Sequence, residues 1–142
     1  MPAQAGIQSF LPSGFHLIEI LIVLAIISIL VSFAVPSYST YIAHANRREA
    51  ESLLMELASR LEEYRLQHDS YQDATLNTLK FPATNKNHTY QFQILSANQD
   101  TFLITAQPLH TQANKDADCG MLMLDAIGKK SVSGNKPVNE CW

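Results

Sequence analysis

Residues 20–35, ILIVLAIISILVSFAV, contain no charged side chain, and the apolar run reaches back to Phe15 when His16 and Glu19 are counted within it. As a helix, residues 15–35 span about 30 Å, the thickness of a bilayer's hydrocarbon core. A run of this kind asks for a membrane. Beyond it remain residues 36–142, enough for one modest core at the low end of domain sizes and too few for a multidomain enzyme. The averages of 46% hydrophobic and 16% charged residues therefore describe neither part of this 142-residue chain.

Lys and Arg total 10 against 13 Asp and Glu, a net charge of -3, so composition makes no case for a nucleic-acid binder. The two cysteines, Cys119 and Cys141, fit no CxxC redox or zinc spacing. They read as a single disulfide in an oxidising compartment, with two inert buried thiols as the alternative. Residues 1–14, MPAQAGIQSFLPSG, carry no charged side chain and lack the basic segment of an ordinary secretory signal. No small-x-small cleavage pattern follows the apolar run, where Val35-Pro36-Ser37 leads into more helical sequence. The apolar segment is expected to stay in the mature protein.

Gly14-Phe15-His16-Leu17-Ile18-Glu19, the unbroken apolar helix after it and Pro36 at its far end together resemble the N-terminal signature of type IV prepilins. His16 stands where that family carries threonine, and the family's basic leader residues are missing. The resemblance implies a leader over residues 1–14, cut by a membrane-embedded prepilin peptidase between Gly14 and Phe15, with N-methylation of the new Phe15 amine. Glycine suits that junction because it has no Cβ to keep a protease from the backbone. Residues 15–35 would be the transmembrane and assembly half of a helix, and 36–142 its amphipathic half and a globular head. Glu19 carries the greatest functional weight, since a carboxylate inside an apolar membrane helix is costly and marks function. By the same resemblance its partner is the cationic Phe15 amine of an adjacent subunit, which neutralises Glu19 on docking into a filament.

Past Pro36 the helical period continues in Ala50, Leu53, Leu54, Leu57, Leu61 and Tyr64. Arg48, Glu51, Ser52, Ser59, Glu62 and Glu63 fall largely off that stripe and read as a solvated face, with Glu56 and Arg60 an i,i+4 pair in the favourable order. Pro36 has no amide for the Ser32 carbonyl, so a bend or loosening is expected there. One long helix over residues 15–67 results, stopped by His68-Asp69-Ser70-Tyr71. Residues 61–74, LEEYRLQHDSYQDA, also resemble minor-pilin sequence in which a second tyrosine packs under the helix end.

Residues 71–88 read as a connecting loop, 90–95 and 101–106 as an antiparallel hairpin, 121–126 as a third strand, and 130–133 as a fourth after the Gly128 turn. Helix first and meander after is an α+β order. The expected fold is type IV pilin-like, a long N-terminal helix packed on a small antiparallel β-sheet. The ending CGMLMLDAIGKKSVSGNKPVNECW is similar to the C-terminus of PilE-type minor pilins, in which a cysteine, a strand, a glycine turn and a terminal Cys-Trp form a closed loop.

No nucleophile motif, phosphate-cradling glycine loop or HExxH pattern is present. His16, His44, His68, His88 and His110 lie singly on different elements, so neither metal nor cofactor is expected. The function read here is non-enzymatic, a structural subunit of a type IV pilus of the minor-pilin kind, with other pilin subunits and the pilus assembly machinery as its partners. It would sit in the inner membrane with its head in the periplasm before entering the extracellular pilus. Two alternatives stand beside it. A DNA-receptor pilin of the ComP-like kind would need a basic stripe, yet near the C-terminus Lys115, Lys129, Lys130 and Lys136 are offset by Asp116, Asp118, Asp125 and Glu140. A type II secretion pseudopilin shares leader and helix, but the terminal cysteine loop argues against it.

Overall fold

The structure, a computed structural model, describes Gly14 and residues 16–142. Helix α1 runs Leu17–His68, and the strands β1 (Tyr90–Ala97), β2 (Phe102–Pro108), β3 (Leu122–Asp125) and β4 (Lys130–Val132) form one antiparallel sheet in the order β1-β2-β3-β4. Two short helices, α2 (His110–Lys115) and α3 (Val138–Cys141), complete the order. The expected helix and meander are all present. The two short helices are additions, because segments of six and four residues are too brief to show a helical period.

The chain divides after Ser37 into two compact units. The described part of the first is the apolar start of α1, whose large side chains from Leu17 to Val35 are all exposed. Its hydroxyls turn back on the helix itself, Ser28 Oγ donating to the Ala25 carbonyl at 2.8 Å and Ser32 Oγ to the Ser28 carbonyl at 2.8 Å. Such back-bonding keeps these hydroxyls satisfied within an otherwise apolar exterior. The helix continues through Pro36, so the missing amide does not end it.

In the second unit α1 changes character. Its buried positions are Ala43, Arg47, Ala50, Leu54, Leu57 and Leu61, at steps of four and three, with Glu51 beside them. The leucines pack on Tyr90, Phe92, Phe102, Ile104, Leu122 and Leu124 from the sheet. Each fully buried leucine contributes about 1.5–3 kcal/mol relative to exposure. One sequence expectation needs correction here, and one buried residue went unread. Glu51 is 6% exposed and does not belong to a solvated face, although its neighbour Arg48 holds it at 3.0 Å. Arg47, off the apolar list because it is charged, occupies a position on the buried stripe. The Glu56–Arg60 pair forms as read, at 2.7 Å.

Tyr71 is buried under the end of α1, edge-on to Phe102 with ring centroids 5.0 Å apart. Its hydroxyl donates to Glu62 at 2.7 Å and accepts from Arg65 at 3.3 Å. The connecting loop is fastened by buried Asn85, whose Oδ1 accepts the Thr89 and Tyr90 amides at 2.8 and 2.9 Å while Nδ2 donates to Glu49 at 2.8 Å. Along β1 and β2 the register runs from Tyr90 opposite Pro108 to Ala97 opposite Phe102, with an irregularity between Ile94 and Ser96.

Cys119 and Cys141 are bonded, with Cα atoms 5.6 Å apart, closing β3, β4 and α3 into one loop. Gly134 lies against this closure so tightly that a Cβ would come within 2.0 Å of the Asp118 carbonyl oxygen. Trp142 finishes the chain by donating from Nε1 to the Ser131 carbonyl at 3.1 Å, with Lys130 Nζ 4.9 Å from its ring. On the chain-entropy account, closing this loop stabilises the head by about 3 kcal/mol. The double substitution Cys119→Ser, Cys141→Ser should lower the urea-unfolding free energy by that amount, and an unchanged free energy would show that the bond does not hold the C-terminus in place.

Candidate functional site

Glu19 lies in the first turn of α1, the end at which a helix favours negative charge, and its amide donates to the His16 carbonyl at 2.9 Å. It is exposed among exposed apolar side chains and takes part in no ion pair among the described residues. Gly14 is exposed with open space around it. Phe15, and with it the cleavage junction and the methylated amine, lies outside the described residues.

The head contains a polar centre that sequence reading missed. Arg47 on α1 forms a buried ion pair and hydrogen bond through Nη1 with Asp116 Oδ1, their side chains 8% and 4% exposed. The Tyr90 hydroxyl donates to the other Asp116 oxygen. Gln112 from α2 joins the same group, donating from Nε2 to the Ala43 carbonyl at 2.9 Å and to the Tyr90 hydroxyl at 3.3 Å, and accepting from Asn46 at 3.1 Å. Helix α1, strand β1 and the α2 segment thus meet at one polar centre. A buried pair of this kind is weak evidence for net stability, but removing one partner strands the other charge and costs about 3–5 kcal/mol. The signal available in the sequence was Arg47's place in the 43-47-50-54 spacing; its partner, 69 residues away, carried none.

Asp116 is consequently withdrawn from the surface. Against the C-terminal lysines Lys115, Lys129, Lys130 and Lys136, three acidic side chains then remain outside the core, Asp118, Asp125 and Glu140. Lys136 approaches Asp118 at 3.7 Å, whereas Lys115 and Lys129 make no ion pair among the described residues. On the loop before β1, Lys80, Lys86 and His88 are exposed as well. No group of three or more potential metal ligands gathers among the described residues.

Burial, followed by the bond to Asp116, pushes the Tyr90 hydroxyl far above the ordinary tyrosine value of 10.0. Tyr71 is raised too, chiefly by burial. Above about pH 10 the unfolded chain has released these protons while the folded chain keeps them, so the unfolded state binds fewer protons and stability falls as pH rises. Denaturant titrations from neutral pH upward should show this decline beginning near pH 10. Tyr90→Phe should make it shallower while lowering stability at neutral pH, and an undiminished decline would mean that Tyr90 is not its source.

A family model described as "Type IV minor pilin ComP, DNA uptake sequence receptor" matches residues 36–123. The type IV major pilin protein PilE1 of Neisseria gonorrhoeae is 34% identical over 106 residues, 75% of this chain and 48% of PilE1. The type IV major fimbrial protein FimA of Dichelobacter nodosus is 49% identical over 53 residues, 37% of this chain and 33% of FimA. This chain therefore spans less than half the length of each of these relatives. Among solved structures, the non-core minor pilin PilV of Neisseria meningitidis shares the fold at a TM-score of 0.55 and 21% identity, over 70% of this chain and 95% of PilV.

Proposed function

The chain belongs to the type IV minor pilin family, and we propose that it is a non-enzymatic subunit of a type IV pilus, assembled through the apolar half of α1. The observation that carries this reading is the exposed apolar surface of residues 17–35 with one carboxylate, Glu19, near its start. That surface suits a bilayer first and a bundle of like helices afterwards. In this reading prepilin peptidase cuts between Gly14 and Phe15, the Phe15 amine is methylated, and the subunit waits in the inner membrane with its head in the periplasm. The Cys119–Cys141 bond fits that oxidising compartment. The terminal loop it closes favours a pilus subunit over a secretion pseudopilin.

Glu19 would select the register of assembly. A lone carboxylate at the centre of a bilayer costs about 3 kcal/mol on insertion scales, and a neighbouring ammonium in a low-dielectric setting offsets that cost. Docking is then favoured where Glu19 meets the Phe15 amine of the next subunit. Glu19→Ala should insert into the membrane at least as well as wild type, leave the head folded, and fail to enter filaments. Wild-type amounts of Glu19→Ala in sheared filaments, at equal membrane levels, would remove Glu19 from the assembly step.

A second reading, DNA reception, is favoured by the description of the matching family and by the withdrawal of Asp116 from the surface. It would use Lys80, Lys86 and Lys129 as phosphate contacts. The head carries all 10 of the chain's Lys and Arg residues against 12 of its acidic ones, which limits non-specific attraction to phosphate. Fluorescence anisotropy with duplex DNA distinguishes the two. The structural reading expects weak binding at physiological salt, whereas tight, steeply salt-dependent binding that falls with Lys86→Ala and Lys129→Ala would put DNA reception first.

A further inference from the structure

Beside the buried Arg47–Asp116 pair opens a cavity of about 340 Å³, within the size range of small-molecule sites. Thr40, His44 and Arg47 on α1 form one wall, and Lys115, Asp118 and Lys136 supply the other. Its charges can be followed one by one. Asp116 is satisfied on both oxygens by Arg47 and Tyr90. Asp118 has Lys136 at 3.7 Å, a loose pair with both side chains substantially exposed. Lys115 is left with no ion pair among the described residues, so with His44 neutral the cavity carries one uncompensated positive charge.

The donors are fixed by chemistry as well as charge. Arg47 Nη2 lies 2.6 Å from His44 Nδ1, and a guanidinium can only donate. His44 Nδ1 must then accept, which places the ring proton on Nε2 and makes that nitrogen a second donor. An imidazole N–H and two lysine ammonium groups beside a buried guanidinium suit a monoanion with several acceptor oxygens. Location narrows the source. Thr40 follows Val35, the last residue of the apolar run, by five positions, so the chain holds the cavity wall within about 17 Å of the run's end.

We propose that this cavity binds an anionic phosphate ester, supplied by the headgroup of a membrane lipid such as phosphatidylglycerol. The choice of a lipid as the source rests on the reading of residues 15–35 as membrane-embedded; the phosphate chemistry of the site does not. A subunit awaiting assembly would thereby hold its head against the bilayer surface, and leaving the membrane would require the headgroup to be released.

The test uses the full chain in maltoside micelles, following the His44 imidazole signals by NMR during three titrations. Dihexanoyl-phosphatidylglycerol is the anionic lipid, dihexanoyl-phosphatidylcholine the zwitterionic one, and glycerol 3-phosphate the soluble ester. Saturable shifts are expected with phosphatidylglycerol, about fivefold tighter than with phosphatidylcholine, and Lys115→Gln should weaken them by about the same factor. Lys130→Gln removes the same charge outside the cavity and should leave the titration unchanged. Saturation by phosphatidylglycerol but not by glycerol 3-phosphate supports the headgroup as the source. Equal saturation by both supports the phosphate site and overturns the lipid assignment. No saturation, or equal weakening by Lys115→Gln and Lys130→Gln, overturns the site itself. A chain that saturates with lipid but never enters filaments would leave this site standing and remove the pilus reading, whereas one that assembles without saturating would remove the site alone.

Discussion

One helix has to satisfy two surroundings, and the rest of the molecule follows from the place where it changes. Up to Ser37 the side chains of α1 point outward as apolar surface, with serine hydroxyls turned back onto the helix carbonyls. From Ala43 onward a narrow stripe is buried every third or fourth residue. The sheet exists to cover that stripe. Its own inner face, Tyr90 and Phe92 from β1 with Ile104 and Leu124 further in, is apolar because α1 lies across it.

Covering a helix with a four-stranded sheet leaves the ends of the stripe to be closed by other means. At the His68 end Tyr71 tucks beneath the helix and ties Glu62 to Arg65. Nearer the apolar segment the stripe is occupied by Arg47, which is accommodated because Asp116 pairs with it, while Tyr90 bonds the other Asp116 oxygen and Gln112 in turn bonds the Tyr90 hydroxyl. The disulfide then fixes the segment that carries Asp116, since the Cys119 amide donates to the Asp116 carbonyl at 3.1 Å and Arg47 Nη1 lies 3.3 Å from Cys119 Sγ. Polar centre and covalent closure therefore support each other.

Much of this was legible in the sequence for definite physical reasons. The apolar run, the stripe at Leu54, Leu57 and Leu61, and the alternation of Tyr90, Phe92 and Ile94 each follow from a local period that a chain cannot hide. The Cys119–Cys141 closure had a resemblance behind it as well as composition. What escaped was long-range or too short. Arg47 went unread because its partner in the core lies 69 positions away. Glu51 was assigned to a solvated face by its type, while its angular position beside Ala50 and Leu54 brings it under cover. The helices α2 and α3 are held by tertiary contacts, Gln112 in one case and the disulfide in the other, with no period of their own to announce them.

The pilus assignment depends on the fate of the N-terminal segment, and mass spectrometry of filaments sheared from cells reads that fate directly. The expected result is this chain present in the filament fraction, beginning at Phe15 with a methylated amine. A chain found only in the membrane, or present in filaments with residues 1–14 still attached, would contradict the assignment.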